Sequence, residues 1–254
     1  MKAGLIAQNT FREATRDRML AGVMVAGLVI LIATQVLSPL ALGEGLRLTV
    51  DLGLSTISML GLLVVLLVGS SLVAKEIDRR TIFNLLSRPI TRPAYLVGKW
   101  AGLSGALWLV TSGLGLGLWL VLVLRGSVDH TGSVLEATYL AGLELSVVTA
   151  CAVLFSSLST PVLSALYTLG LYVVGQWSYD LRNLASHFPA PLSAVLGTAA
   201  NLAPNLPLFN MRTLAASGEL TTPWHLAIAT GYAAVYIGCV LCLASAAFES
   251  RDFK

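Results

Sequence analysis

Long stretches without a charged residue follow one another along the chain, separated by short charged segments. They cover residues 19–43, 52–74, 100–124, 145–179 and 220–248. Each exceeds the ~20 apolar residues that a helix needs to cross ~30 Å of hydrocarbon. The stretch 145–179 is too long for one span. Thr160 followed by Pro161 is typical of a helix start, which divides it near Leu158.

This pattern predicts an all-α fold, a polytopic membrane helix bundle that forms a single transmembrane domain over residues 1–254. Its six transmembrane helices are predicted at about 19–40, 53–74, 100–124, 134–158, 161–180 and 223–248.

The charge-free stretch 183–211 has a different character. It contains four prolines and four asparagines, too many helix breakers for a spanning helix, and irregular backbone is not tolerated against lipid. We therefore interpret 181–222 as an extracytoplasmic segment of re-entrant or amphipathic pieces. It could form a gate, meet an extracytoplasmic accessory protein, or only cover the bundle as a lid.

The distribution of Lys and Arg predicts the orientation. Twelve lie in residues 1–18, 75–99 and the C-terminal tail, whereas four lie on the opposite side. Both termini are therefore predicted to be cytoplasmic, with a cytoplasmic loop at 75–99. The first apolar run is too long for a signal peptide. Residues 1–18 are expected to form an interfacial helix whose basic side chains favour anionic membrane lipids.

Composition supports the membrane assignment and excludes other classes. Apolar residues make up 56% and charged residues 11%, against roughly 25% charged in soluble domains. This argues against a soluble enzyme, a nucleic-acid binder or a disordered tail. The three cysteines and three histidines show no metal-ligand spacing, so no metal site is expected. The five tryptophans mostly lie near predicted span ends, as interfacial anchors do.

Polar residues inside the predicted spans are the candidates for a path through the membrane. A charge at the position of Glu144 costs roughly 2.5–3.5 kcal/mol. Glu136 lies two turns before it on the same helix face. The pair could line a path for cargo or protons. The alternative is a structural hydrogen bond to another helix, with Gln35 and Gln176 as available partners.

Small residues in the third span indicate a close helix contact. Gly113 and Gly117 form a G-x-x-x-G pattern, which lets helix backbones approach. This contact could be a subunit interface or packing within one chain.

The loop 75–99 carries the most specific pattern. A short surface helix is expected, with an apolar stripe that either packs on its own bundle or enters a partner's groove. The stripe consists of Ile82, Leu85 and Leu86. Pro89 ends this helix, and Thr91 with Pro93 can start the next one.

After a second span, residues 76–99 follow the pattern E-x-D/E-R-x-T-x-x-x-L-L-S-x-P-I/V-T/S-R-x-x-Y/F-x-x-G-K. The matching residues are Glu76, Asp78, Arg79, Thr81, Leu85, Leu86, Ser87, Pro89, Ile90, Thr91, Arg92, Tyr95, Gly98 and Lys99. This pattern, the six predicted spans and the length resemble the ABC-2 type family of ABC transporter permeases.

The resemblance implies a permease subunit of an ATP-driven transporter, with export as its expected direction, in a bacterial cytoplasmic (inner) membrane. The implied partners are a cytoplasmic ABC ATPase and a second permease subunit, either another copy or a paralogue. The loop would be the coupling helix seated in that ATPase. Its candidate coupling residues are Glu76, Asp78, Arg79, Arg80, Thr81, Ile82, Leu85, Leu86, Ser87, Arg88, Pro89 and Arg92.

No cofactor is expected on this chain. The sequence lacks a G-x-x-x-x-G-K-[ST] phosphate loop, so ATP and Mg²⁺ are expected in the partner ATPase. No catalytic residues are predicted. The alternatives are a membrane-embedded enzyme or a structural membrane subunit that uses Glu144.

Overall fold

The computed structural model describes residues 2–41, 43–74, 91–185, 193, 197–198 and 201–249 of the chain. Every regular segment within these ranges is helical, and none of them is a β-strand. The predicted all-α membrane helix bundle is confirmed. The helices are α1 Lys2–Arg16, α2 Arg18–Leu37, α3 Gly45–Leu67, α4 Arg92–Leu124, α5 Thr131–Leu158, α6 Pro161–Gln176, α7 Ser178–Ala185, α8 Arg212–Ala216 and α9 Pro223–Glu249.

Five segments of the described residues are long and apolar enough to cross a membrane. They are Arg18–Leu37, Gly45–Ser71, Arg92–Leu124, Thr131–Leu158 and Pro223–Phe248. The predicted fifth span corresponds to α6, an apolar helix of 16 residues. Its length of about 24 Å is shorter than a typical hydrocarbon core. The count of six spans therefore stays a prediction.

Two of the helices begin earlier than the predicted spans. α3 starts at Gly45 rather than near residue 53, and it includes Arg47 and Asp51. α4 starts at Arg92, with Thr91 in the N-cap position and a proline in the first turn. A charge-free run marks the part of a helix that lies in hydrocarbon, whereas the helix itself continues into the polar layer on either side.

Helix α5 lies at the centre of the bundle. In its apolar section 83% of the residues are buried, more than in any of the other four candidate spans. Two tryptophans of α4 donate hydrogen bonds to Ser146 of α5, Trp100 to the carbonyl oxygen at 3.0 Å and Trp108 to the hydroxyl at 3.1 Å. These two indoles join helices within the bundle, and the interfacial role expected of the tryptophans stays a prediction.

Helix α1 packs against the first half of α4 through glycines. A Cβ atom built on Gly102 would lie 2.6 Å from the carbonyl oxygen of Ala7 and from Cβ of Thr10, and one on Gly98 would lie 2.8 Å from Cβ of Ile6. The structure thus places the buried face of the predicted interfacial helix on α4. Its exposed face carries polar side chains, including Arg12.

The G-x-x-x-G pair lies against the first membrane helix of the same chain. A Cβ atom on Gly113 would lie 2.8 Å from Cε of Met24, and one on Gly117 would lie 3.2 Å from Cδ2 of Leu28. Of the two alternatives for this pair, the structure shows packing within one chain.

We call the end of the bundle that carries Ala74, Thr91 and residues 159–160 the inner end, and the opposite end the outer end, after the predicted orientation. At the outer end, Arg125 Nη1 donates to the hydroxyls of Ser38 at 2.8 Å and Thr49 at 3.3 Å. At the inner end, Arg92 Nη1 donates to the carbonyl oxygen of Phe248 at 2.6 Å. Charged side chains thus connect the helix termini at both ends.

Candidate functional site

Glu144 is almost completely buried, with 2% of its surface exposed, near the middle of α5. The side-chain amide of Gln176 donates to its Oε1 at 2.5 Å and to the hydroxyl of Tyr172 at 3.1 Å. Gln176 and Tyr172 are four residues apart on α6 and therefore share one helix face. Of the two glutamines considered from sequence, the structure brings Gln176 to Glu144.

The antiparallel arrangement of α5 and α6 explains this meeting. Glu144 lies fourteen residues before the end of α5 at Leu158, and Gln176 lies fifteen residues after the start of α6 at Pro161. At 1.5 Å per residue both are about 21–23 Å from the shared turn. The short connection at Ser159 and Thr160 therefore places the two side chains at the same depth.

A small cleft opens beside Glu144. Its free volume of about 10 Å³ is close to the smallest that admits one water molecule. It is lined by Leu54, Ser58, Ala137, Ala141, Glu144, Phe209, Asn210, Met211 and Arg212. Arg212 is half-buried and lines this cleft together with Glu144, to which its charge is opposite, and its Nη1 donates to the hydroxyl of Ser55 on α3 at 3.3 Å.

The other two path candidates lie elsewhere. Glu136 is half-buried nearer the outer end of α5, and its Oε2 accepts the backbone N–H of Thr221 at 2.8 Å. Gln35 lies on α2, where its amide donates to the hydroxyl of the adjacent Thr34 at 3.2 Å. It is not among the residues that line the cleft.

Arg212 is the residue of this site that the sequence analysis missed, because it was counted only as one of four outer cations. A signal was nevertheless present. It is the first charged residue after the charge-free stretch 183–211, and its sign is opposite to that of Glu144.

The predicted coupling residues up to Pro89 lie outside the described residues, which resume at Thr91. Arg92 is described, and the ends of the loop are visible on both sides. The backbone N–H groups of Val73 and Ala74 both donate to the hydroxyl of Ser156, each at 3.1 Å. Ser156 belongs to α5, so the chain entering the loop is attached to the helix that carries Glu144.

The chain leaving the loop is attached to the C-terminal helix. The guanidinium of Arg92 lies 5.6 Å from the ring centre of Phe248 in addition to its hydrogen bond. Tyr95 stacks on the same ring with a centroid distance of 6.3 Å. Phe248 is fully buried. The guanidinium of Arg92 and the ring of Tyr95 thus hold the start of α4 against Phe248 at the end of α9.

Candidate metal ligands do not gather at one place in the described part of the chain, where no group of three His, Cys, Asp or Glu side chains is found. His225 Nε2 lies 2.9 Å from the carbonyl oxygen of Leu208, and His130 packs beside Gly218. His187 lies outside the described residues. Cys151 is buried, and Cys239 and Cys242 are exposed on the surface of α9.

The fold and this site define a multi-pass helix bundle embedded in a membrane, with a charged cluster enclosed at mid-depth. A family model for ABC-2 family transporter proteins matches residues 5–252. The chain therefore belongs to the ABC-2 family, as the resemblance of its loop indicated. Among curated protein sequences, none matches the chain. Membership makes the chain a membrane permease of an ABC transporter, a transport subunit that is not itself catalytic, in a family that associates with ABC ATPases.

Proposed function

We propose that this chain is the permease subunit of an exporter driven by a separate cytoplasmic ATPase, and that the segment 75–99 receives the movement of that ATPase. The observation that carries this proposal is the family match over nearly the whole chain. The hydrogen bonds that join both ends of the loop to α5 and α9 support it, because they would pass a movement of the loop on to these helices.

The route of coupling follows from these attachments. When two ATPase subunits close on ATP, the loops seated in them are displaced. The displacement reaches α5 through the bonds of Val73 and Ala74 to Ser156. It reaches α9 through Arg92 and Phe248. Such a switch requires that the closed ATPase binds one permease state better than the other.

The binding of ATP and Mg²⁺ belongs to the partner in this proposal. The chain has no phosphate loop, and the glycine and lysine at 98–99 are followed by Trp100 instead of a serine or threonine. A second permease subunit, a copy or a paralogue, would complete the transporter in a bacterial inner membrane. An extracytoplasmic accessory protein at residues 181–222 is a further candidate partner.

Glu144, Gln176 and Arg212 are proposed to line the path. A membrane-embedded enzyme is the second candidate function. It is favoured only by the buried carboxylate of Glu144, to which the side-chain amide of Gln176 donates a hydrogen bond. A carboxylate and an amide are not a nucleophile and base pair. A structural subunit would keep the loop attachments but would not need a charged cleft.

The test is recovery of an ATPase from mild detergent with this chain as bait. We expect a stoichiometric ATPase with the wild type, and its loss with Glu76→Ala/Arg80→Ala and with Leu85→Asp. The matched control is Glu44→Ala/Arg47→Ala, which removes an exposed ion pair of 3.5 Å at the outer end. An ATPase that survives all loop substitutions, or none with the wild type, would contradict the proposed coupling.

A further inference from the structure

Residues 201–222, here called the outer segment, extend into the outer end of the bundle. The side chains of Leu206 and Phe209 are buried, with 0% and 2% of their surface exposed. Arg212 reaches Ser55, which lies ten residues from the start of α3 at Gly45. Ten residues correspond to about 15 Å along that helix. The outer segment is therefore inserted among the helices and is not a loop resting on them.

Its first half is attached to α6 and α9. The backbone N–H of Asn205 donates to the hydroxyl of Tyr232 at 2.8 Å, and the hydroxyl of Tyr236 donates to the carbonyl oxygen of Leu202 at 3.2 Å. A Cβ atom on Gly175 of α6 would lie 2.9 Å from the carbonyl oxygen of Pro204. The outer segment thus lies directly against these two helices.

Its second half is attached to α3 and α5. Thr221 donates its N–H to Glu136, and the hydroxyl of Ser133 donates to the carbonyl oxygen of Ala215 at 3.3 Å. Arg212 supplies the contact with α3. One segment therefore bridges four helices, and the outer ends of these helices can separate only if several of its contacts break.

The opposite charges of Arg212 and Glu144 distinguish this part of the outer segment from its other attachments. Glu144 is buried near the middle of a membrane helix, where an uncompensated carboxylate is costly. Among the described residues that line its cleft, Arg212 is the only cation. If the outer segment withdrew, Glu144 would lose this opposite charge, and its carboxylate would need water or a proton in its place. Withdrawal of Arg212 is therefore expected to accompany a change in the hydration or protonation of Glu144.

We propose that Arg212, which lines the same cleft as Glu144, is a latch that holds the outer segment in place and keeps this cleft closed from the outer side. That the cleft belongs to a transport path rests on the proposed function. The latch itself is a property of this chain alone and is testable without ATPase or cargo.

The experiment measures access to the cleft from outside. Ser58 lines the cleft and is 4% exposed, so a cysteine placed there reports its opening. The three native cysteines are first replaced by alanine. Membrane-impermeant thiol reagents, one anionic and one cationic, are added from the outer side to membranes that contain the chain. Faster labelling by both reagents indicates opening of the cleft. Opposite changes in their labelling rates indicate a change in local electrostatic potential.

Arg212→Gln is expected to accelerate labelling of Ser58→Cys by at least about tenfold, because a charge pair in a partly buried site is worth that factor or more. Glu144→Gln is expected to act similarly. The double variant should exceed neither single variant, since both remove the same interaction. Arg212→Lys keeps the charge and should retain most of the protection.

The matched control is Arg47→Gln, another outer arginine, which pairs with the exposed Glu44. It should leave the labelling rate unchanged. An unchanged rate in Arg212→Gln, a rise of equal size in Arg47→Gln, or additive effects of the two cleft variants would each overturn the latch. If Arg212→Gln does not fold, the labelling rates in Arg212→Lys and Arg212→Met are compared instead. The latch predicts protection in Arg212→Lys and faster labelling in Arg212→Met. Failure to recover an ATPase would count against the proposed function. It would not affect the labelling results, which test the latch without an ATPase.

Discussion

At the scale of single residues, the hydroxyl of Ser156 accepts two hydrogen bonds from the backbone of another segment. It accepts two backbone N–H groups, those of Val73 and Ala74, which precede the proposed coupling loop. All three residues are buried. Buried amides that lose their acceptor cost about 1–3 kcal/mol each, so this one oxygen decides how firmly the entrance of the loop is held.

Ser156→Ala is expected to lower the free energy of unfolding by roughly 2–6 kcal/mol, since two buried amides lose their acceptor, measured by denaturant unfolding in detergent micelles. Ser112→Ala is the control, since the hydroxyl of Ser112 is exposed and bonds within its own helix to the carbonyl oxygen of Trp108. It should change stability by less than about 0.5 kcal/mol. Equal effects of the two substitutions would contradict the role assigned to Ser156.

The two glutamines allow a paired prediction. Gln176→Leu removes the amide that donates to buried Glu144, and we expect a loss of about 1–3 kcal/mol because the carboxylate is left with one partner fewer. Gln35→Leu removes only a bond to the neighbouring hydroxyl of Thr34 and should be close to neutral. Thermal unfolding in the same detergent compares them. A larger loss in Gln35→Leu would contradict the arrangement.

The sequence was sufficient to identify Glu144, because a lone carboxylate in an apolar stretch is visible without a structure. It narrowed the partner to two glutamines but did not choose between them. The position of Arg212 beside Glu144 could not be predicted from the sequence, for a physical reason. It lies 68 residues after Glu144, and its approach depends on how the outer segment inserts, which hydropathy does not describe.

At the scale of elements, the contact between α1 and α4 depends on glycine. Gly98, Gly102 and Gly105 lie on one face of α4, and the backbone oxygens of α1 approach this face closely. The sequence showed many small residues in this helix. It did not show which of them meet α1 and which, like Gly113, meet α2, because both helices offer an apolar surface.

Gly102→Leu is expected to displace α1, because the added Cβ would lie 2.6 Å from the backbone oxygen of Ala7, which no rotamer change relieves. Overpacking of this kind costs about 1–3 kcal/mol. We expect faster trypsin cleavage at Arg12 and Arg16 of α1. Gly22→Leu on α2 has nothing within 4 Å of the new Cβ and should cleave at the wild-type rate. Trypsin cleavage at the wild-type rate in both variants would refute the glycine contact.

At the scale of the whole molecule, α5 connects the two ends of the bundle. Its 28 residues carry Ser156 near the inner end, Glu144 near the middle and Glu136 nearer the outer end. Ser156 holds the chain that enters the proposed coupling loop, Glu136 bonds Thr221 of the outer segment, and Glu144 lines the same cleft as Arg212. A helix of 28 residues is about 42 Å long. It is the element through which a displacement at the proposed coupling loop would reach the proposed latch.

The last prediction joins the two ends in one measurement. In membranes that contain the partner ATPase trapped with ATP, labelling of Ser58→Cys from the outer side should be faster than without nucleotide. In Ser156→Ala this acceleration should shrink severalfold while ATP hydrolysis continues, because the ATPase still closes but no longer moves α5. Ser112→Ala serves as the control and should respond like the wild type. An acceleration that is unchanged in Ser156→Ala would show that the movement reaches the outer segment by another route, and the contact of Arg92 with Phe248 at the end of α9 would then be the one to disrupt.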